Sequence, residues 1–476
     1  MIAKVALMCA AVCLPWQMAH SGTASQKTGQ HIAETVVTQY QLDNGMQVVV
    51  KQDHRSPVVV HQVWYKIGSN FEQNGNTGIS HMLEHMMFKG TETHEPGEFS
   101  KIVARLGGKE NAFTSTDYTA YYQVVGKQHL ERVMELEADR MRNVVVSDEE
   151  FYKERDVVAE ERRWRVEDKP GSKLYEQFKA TAFMNSPAHH PIIGWMSDVE
   201  NWKAEDARAW YQKWYAPNNA ILVVVGDVQP DKVYELAKQY YGVYEPEAIT
   251  PPKPQIEIAQ EGERRITLKA KTELTKVYMG FHTPTLVTAK TDTEKQEVYA
   301  LSVLASILDG DDSSRIAKNL VRKANVVVGA GAGYDGTDRL TTLFTFSATA
   351  AEGKSPKDVE EAIWAEIEKL KQQPVTKLEL ERVLAQSEAQ YIYHQDSIQS
   401  QATVLGSLLS VGLPADLLDN WVENLRKVTP EQVQAVAKKY LHRDKQTVAV
   451  LFPKTESPPA GKVALLDENN SDKGAL

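Results

Sequence analysis

His81, Glu84 and His85 fall within one short run, His81-Met82-Leu83-Glu84-His85. Residues three and four apart share a face of an α-helix, so both imidazoles point the same way, one turn apart, with Glu84 beside them. Two imidazoles so placed can share one Zn2+ at ~2.0–2.1 Å each, and a neighbouring carboxylate can take a proton from a metal-bound water. With 13 histidines in 476 residues, chance would give this spacing only ~0.03 times in such a chain. The flanking Ile79, Met82, Leu83, Met86, Met87 and Phe88 leave little of the helix polar. Polar groups on a buried element need partners, and a metal would supply one.

A catalytic zinc takes three protein ligands and keeps one position open. The third side chain must then come from elsewhere in the chain. Residues 149–166 read as a long charged helix with Glu154, Glu160 and Glu161 among its acids. Spacing alone does not choose between them, and the same acids could simply pair with Arg155, Arg162 and Arg163 as a surface run.

The elements that must position these groups come in two similar sets. In the first half, strands at 38–42 and 46–51 flank the hairpin signal Asp43-Asn44-Gly45. Another β-branched run spans 58–66, the His81 helix covers 78–88, a strand 120–125, a helix 128–142 and a buried strand 220–225. The second half offers a strand at 277–282, a helix at 294–308, a strand at 340–348, helices at 356–372 and 377–390, and a strand at 446–452. Between them Pro246, Pro251, Pro252 and Pro254 mark an extended linker, since proline fixes φ and removes a donor. The pattern predicts an α+β fold with two domains of one kind. The expected boundaries are 35–243 for a first domain, 244–262 for the linker and 263–456 for a second. A polar tail follows at 457–476. Gly329-Ala330-Gly331-Ala332-Gly333 mimics a dinucleotide loop but lacks the helix that must follow it. It reads as a glycine-rich turn or bulge.

Composition excludes several classes. Hydrophobic residues make up 42% and charged residues 25%, ordinary values for a globular protein. Net charge is −10, with no basic stripe, so nucleic acid is not expected as a partner. The two cysteines, Cys9 and Cys13, lie in residues 1–24. That stretch has one lysine, a short apolar run and small residues ending at Ala24, the pattern of a secretory signal peptide. The run is too short to span a bilayer, and no transmembrane helix is expected in the mature chain. Export is therefore expected, to the periplasm if the source is bacterial.

The stretch from Gly78 to Thr91, GISHMLEHMMFKGT, resembles the zinc site of the insulinase/pitrilysin metalloproteases. Their order His-x-x-Glu-His is the inverzincin form of the zinc motif. Within that family the chain is similar to the mitochondrial processing peptidase and its bacterial relatives. The likeness continues in GGKENAFTSTDYTAYY from Gly107, in ERDVVAEE over 154–161, and in HPIIGWMSDV over 190–199. The resemblance implies two homologous domains, each a mainly antiparallel sheet with packed helices, and one Zn2+ per chain. It places the third ligand at Glu161, a supporting acid at Glu154 and no role at Glu160. It implies Glu84 as general base, and Asn111 and Ala112 as residues that hold an extended peptide or unfolded segment by strand addition. The function so implied is a zinc-dependent endopeptidase. The alternative is a non-catalytic scaffold or binding subunit of the same fold, against which the intact His81, Glu84, His85 and Glu161 speak.

The sequence departs from the family at one place. Many members carry an Arg and, seven residues later, a Tyr that reach the substrate from the C-terminal half. Arg322 matches the Arg, but Gly329 stands where the Tyr belongs, and Tyr334 is five residues further on. The implied remedy is a heterodimer in which a homologous partner subunit supplies the Arg/Tyr pair.

Overall fold

The computed structural model describes residues 37–454. The expected signal peptide at 1–24 and polar tail at 457–476 lie outside the described residues. Among the described residues, eleven strands form two sheets. The first holds β1 (Val37–Gln41), β2 (Gln47–Gln52), β3 (Val58–Tyr65), β4 (Lys109–Thr114), β5 (Thr119–Gly126) and β6 (Ala220–Gly226), in the order β1-β2-β6-β3-β5-β4. The second holds β7 (Arg264–Ala270), β8 (Lys276–Thr283), β9 (Val327–Gly333), β10 (Thr342–Ala350) and β11 (Thr447–Pro453), in the order β7-β11-β8-β10-β9.

The two orders are one path used twice. β2/β6 and β7/β11 are the parallel pairs. The neighbours β6/β3, β3/β5 and β5/β4 are antiparallel, as are β11/β8, β8/β10 and β10/β9. β1 is an addition to the first sheet, joined by the Asn44–Gly45 hairpin, where Gly45 takes φ 88°. The expected pair of α+β domains is therefore what the chain builds, with β4 and β9 at equivalent edges.

Each sheet is covered on one face by its own helices and on the other by a helix from the opposite half. Val48, Val50, Val63, Leu222 and Val224 of the first sheet pack against Met82, Met134 and Ala207 from first-half helices. Its other face, with Trp64, Ala120 and Val223, packs against Ala402 and Leu405 of the Ile398–Ser410 helix. Conversely, Leu174, Phe178 and Ala182 of the Pro170–Ala182 helix cover Ala449 and Leu451 of the second sheet. Burial of these faces is the main force joining the halves.

One tight contact between the halves is at Gly406. A Cβ there would lie 2.0 Å from Trp64 Cε2, and Trp64 is fully buried, with Nε1 donating to Gln62 Oε1 at 2.9 Å. Gly406→Ala is expected to push the helix off the sheet at about 1–3 kcal/mol, the usual cost of overpacking. Thermal unfolding checks this: an unchanged midpoint would show that the helix is not held against Trp64.

Three expected elements need correction. Residues 329–333 form no turn but most of edge strand β9, paired with β10 from Gly329↔Thr349 to Gly333↔Thr345, and the expected bulge is confined to the register shift beside Gly329. None of these glycines is left-handed, and pairing with β10 decides the conformation. The only irregularity falls at Val327–Gly329. The helix expected at 377–390 runs on to Asp396. The helix expected at 149–166 is Asp148–Arg162, continued by a wider π-helical turn at Arg163–Glu167.

Candidate functional site

The Ile79–Met86 helix begins at Gly78, whose φ of 83° suits glycine. A Cβ on Gly78 would lie 2.6 Å from Gly194 Cα, so two backbones touch where the helix starts. The buried carboxyl of Glu72 accepts from Gly78 N at 2.6 Å and Ser80 N at 2.9 Å, satisfying donors at the start of the helix. Asp198 holds the preceding turn through Thr77 N and Thr77 Oγ1. Arg162 donates to Gly194 O at 2.6 Å. The 190–199 stretch thus serves as the bed on which the histidine helix starts.

From this helix His81 and His85 face Glu161, which comes from the Asp148–Arg162 helix. Glu161 Oε2 lies 3.7 Å from His81 Nε2 and 3.5 Å from His85 Nε2. These separations are long for hydrogen bonds. They are close to the ~3.4 Å between neighbouring ligands of a tetrahedral zinc with bonds of 2.0–2.2 Å. Glu161 Oε2 is buried with no hydrogen-bond partner among the described residues, the kind of orphaned acceptor that a cation satisfies. Ligand atoms of His81, His85 and Glu161 all lie within 4.8 Å of one another. Among the described residues this is the one such group of three or more potential ligands. The donor set, two imidazoles and a carboxylate, fits zinc.

The surrounding groups aim the ligands. Glu154 Oε1 meets His85 Nδ1 at 2.8 Å, which turns Nε2 toward Glu161, and Lys89 Nζ meets Glu154 Oε2 at 2.5 Å. Arg165 pairs with Glu161 Oε1 at 2.8 Å, leaving Oε2 to face the imidazoles. Burial, helped by His85, pushes the His81 imidazole down to about 3, so it is neutral and ready to ligate. Burial also opposes charge on His85, but the Glu154 and Glu161 carboxylates outweigh it and raise that ring to about 9. His85, with His81 and Arg165, holds Glu161 below the ordinary carboxylate range although the burial of Glu161 itself pushes the other way.

Glu84 projects from the same helix toward the edge of the sheet. Its Oε2 accepts from Thr114 Oγ1 of β4 at 2.6 Å. Burial raises its pKa, while the Thr114 hydrogen bond and His85 pull it back. A carboxylate held above its ordinary value accepts a proton more readily than a free one.

Two family models match the chain. "Insulinase (Peptidase family M16)" covers residues 47–195, and "Peptidase M16 inactive domain" covers 201–387. Zinc protease PqqE of Helicobacter pylori is 32% identical over 420 residues, 87% of this chain and 92% of that one. The chain belongs to the insulinase family, peptidase family M16. Another member of this metalloprotease family, the uncharacterized zinc protease YmxG of Bacillus subtilis, is 25% identical over 89% of this chain and all of that one. The crystal structure of a protease from Helicobacter pylori matches with a TM-score of 0.83 at 32% identity, over 88% of this chain and 100% of that one. The periplasmic protease PqqL from Escherichia coli shares the fold at 19% identity and a TM-score of 0.74. The match covers 87% of this chain but 47% of that one.

Within this M16 framework the structure brings His81, Glu84, His85, Glu154 and Glu161 together. Glu160 points away and pairs with Arg163 at 3.0 Å. Asn111 and Ala112 lie midway along β4, opposite Tyr122 and Tyr121 of β5, and among the described residues no strand pairs with the other edge of β4. Asn111 Oδ1 accepts from Ala112 N at 2.9 Å. Arg322 is exposed in the second half, where it bonds the Asp312 carbonyl. Among the described residues no hydrogen bond or ion pair links it to the histidine cluster. Tyr334 cannot stand in for the missing tyrosine at 329, because its hydroxyl donates to Pro284 O at 2.6 Å inside the second half. Sequence reasoning missed Thr114, Lys89 and Arg165. Thr114 left a signal: two residues after Ala112 it shares that residue's face of the strand.

Proposed function

We propose that the chain is a zinc-dependent endopeptidase acting on unfolded peptides or segments. The observation that carries this reading is the unpartnered Glu161 Oε2 facing His81 Nε2 and His85 Nε2, with Glu84 held beside them. His81, His85 and Glu161 would hold one zinc. Bound there, it supplies Lewis acidity toward the scissile carbonyl and an acidified water. Glu84 accepts the proton of the attacking water on its carboxylate and delivers it to the leaving amine. Its oxygen stays aimed through Thr114. An extended substrate adds to the open edge of β4 at Asn111 and Ala112, taking over the Ala112 N–H that Asn111 covers. Folded proteins present no free strand to that edge and are rejected. Zinc content measured alongside cleavage of a quenched, unstructured peptide tests the reading. A zinc-loaded protein that cleaves nothing, alone or with a partner, would leave it a scaffold.

We also infer that the active assembly is a heterodimer with a homologous chain, in which that partner supplies the Arg/Tyr pair. Gly329 in place of tyrosine, the committed Tyr334 hydroxyl and the double length of the Escherichia coli relative support this. Arg322 is the residue this chain would itself offer to substrate. The N-terminal 24 residues support export, to the periplasm in a bacterium.

Metal uptake should be coupled to protons. A ligating imidazole must be neutral, and metal-free His85 stays protonated up to about 9. Around neutral pH each zinc should therefore displace about one proton, and affinity should rise roughly tenfold per pH unit until His85 titrates. Calorimetry in two buffers of different ionisation enthalpy reads the proton count. Zero net release would mean either that metal-free His85 is already neutral at that pH or that it does not ligate.

A further inference from the structure

Thr114, the hydrogen-bond partner of Glu84, is the last residue of β4, and the turn beyond it is not held by the first half alone. Asp117 in that β4–β5 turn is buried. Its Oδ1 accepts from Asn70 Nδ2 at 2.8 Å and from Arg339 Nε at 2.8 Å. Arg339 belongs to the second half, in the connection between β9 and β10. Its guanidinium also lies over the Phe71 ring, 4.2 Å from the centroid. β4/β5 and β9/β10 are equivalent hairpins of the two sheets, so corresponding turns of the two halves clasp one another. The turn is tied down further by Asn70 N to Thr116 O at 2.8 Å and Ser115 N to Tyr118 O at 2.8 Å. Gly68 lets the two backbones touch, since a Cβ there would sit 2.3 Å from Ser115 O. A planar guanidinium that both pairs and stacks fixes its partner in direction as well as in distance.

We propose that Arg339 is a positioning residue for Glu84: through Asp117 it fixes the β4–β5 turn, hence Thr114, hence the oxygen that Thr114 holds. The half without a zinc-binding triad would thereby set the geometry of the half that has one. This rests on Glu84 being the base, so Glu84→Gln is assayed first. If that variant stays active, the base assignment fails whatever Arg339 does.

With Glu84→Gln inactive, Arg339→Ala is expected to keep its zinc and lower kcat about 10-fold with KM within about 2-fold, because small displacements of a catalytic group cost rate. Arg339→Lys, which keeps the charge without the planar stack, should recover part of the loss. In a Thr114→Val background Arg339→Ala should lower kcat less than about 2-fold further, because residues acting through one another are not additive. Thr403→Val serves as a control. Thr403 accepts from Gln62 at another contact between the halves, so its loss should lower the unfolding temperature and leave kcat unchanged. If Arg339→Ala does not fold, Arg339→Lys carries the test, with about a 3-fold loss of kcat that vanishes in the Thr114→Val background. A zinc-loaded Arg339 variant with wild-type kcat would overturn the proposal. So would losses that multiply with those of Thr114→Val, or an equal fall in kcat for Thr403→Val.

Discussion

Glu84→Gln is expected to leave the fold and the bound zinc intact and to cut peptide hydrolysis by ~10²–10⁴-fold, the usual cost of removing a general base. The amide keeps the shape of the side chain and can still accept from Thr114 Oγ1, which lies 2.6 Å from Glu84 Oε2 in the native protein. What it loses is the ability to take a proton. Burial lifts the native carboxyl and Thr114 and His85 pull it partly back, which makes the native carboxylate a readier proton acceptor. Turnover of a quenched unstructured peptide, measured beside the zinc content of the same sample, decides it. Near-normal turnover by a zinc-loaded variant would put proton transfer elsewhere and remove the reason to place catalysis on this helix.

His81→Ala, His85→Ala and Glu161→Gln should each strip most of the zinc. Each ligand contributes a large share of the binding energy, and the site leaves none in reserve. Glu154→Gln should behave differently. Glu154 touches His85 Nδ1 and Lys89 Nζ and faces away from the cluster, so its loss loosens the ring without removing a donor. Weakening of ~10–100-fold is the usual scale for such support, and Glu161→Gln should exceed it. Zinc titration of the purified variants against a competing chelator gives the ranking. Full retention in Glu161→Gln with loss in Glu154→Gln would exchange their roles.

The pair shows where sequence reasoning stops. Glu154 and Glu161 are seven residues apart, almost two full turns, so they share one stripe of the helix. No periodicity separates them. The difference is the height at which each meets His85, one at Nδ1 and the other at Nε2, and only the packing of the two helices sets it. The histidine helix itself was legible because its chemistry repeats at the helical period. The two α+β halves were legible from their alternating strands and helices. The reciprocal packing was not: the Pro170–Ala182 and Ile398–Ser410 helices were not expected, and nothing local in them says that each covers the sheet of the opposite half. β9 was misread because alternating glycine and alanine lack the β-branched signature of a strand. Its pairing with β10 supplies what local propensity does not. Thr114 shows the same limit, since it matters only once β4 lies beside the histidine helix.

The most direct measurement is an anomalous difference map, at the zinc absorption edge, from crystals of the zinc-loaded protein. The expected result is one peak per chain in the first half, ~2.0–2.2 Å from His81 Nε2, His85 Nε2 and Glu161 Oε2, with Glu84 beside the remaining open position. A zinc-loaded crystal whose peak lies elsewhere, or whose ion is held without Glu161, would contradict the site.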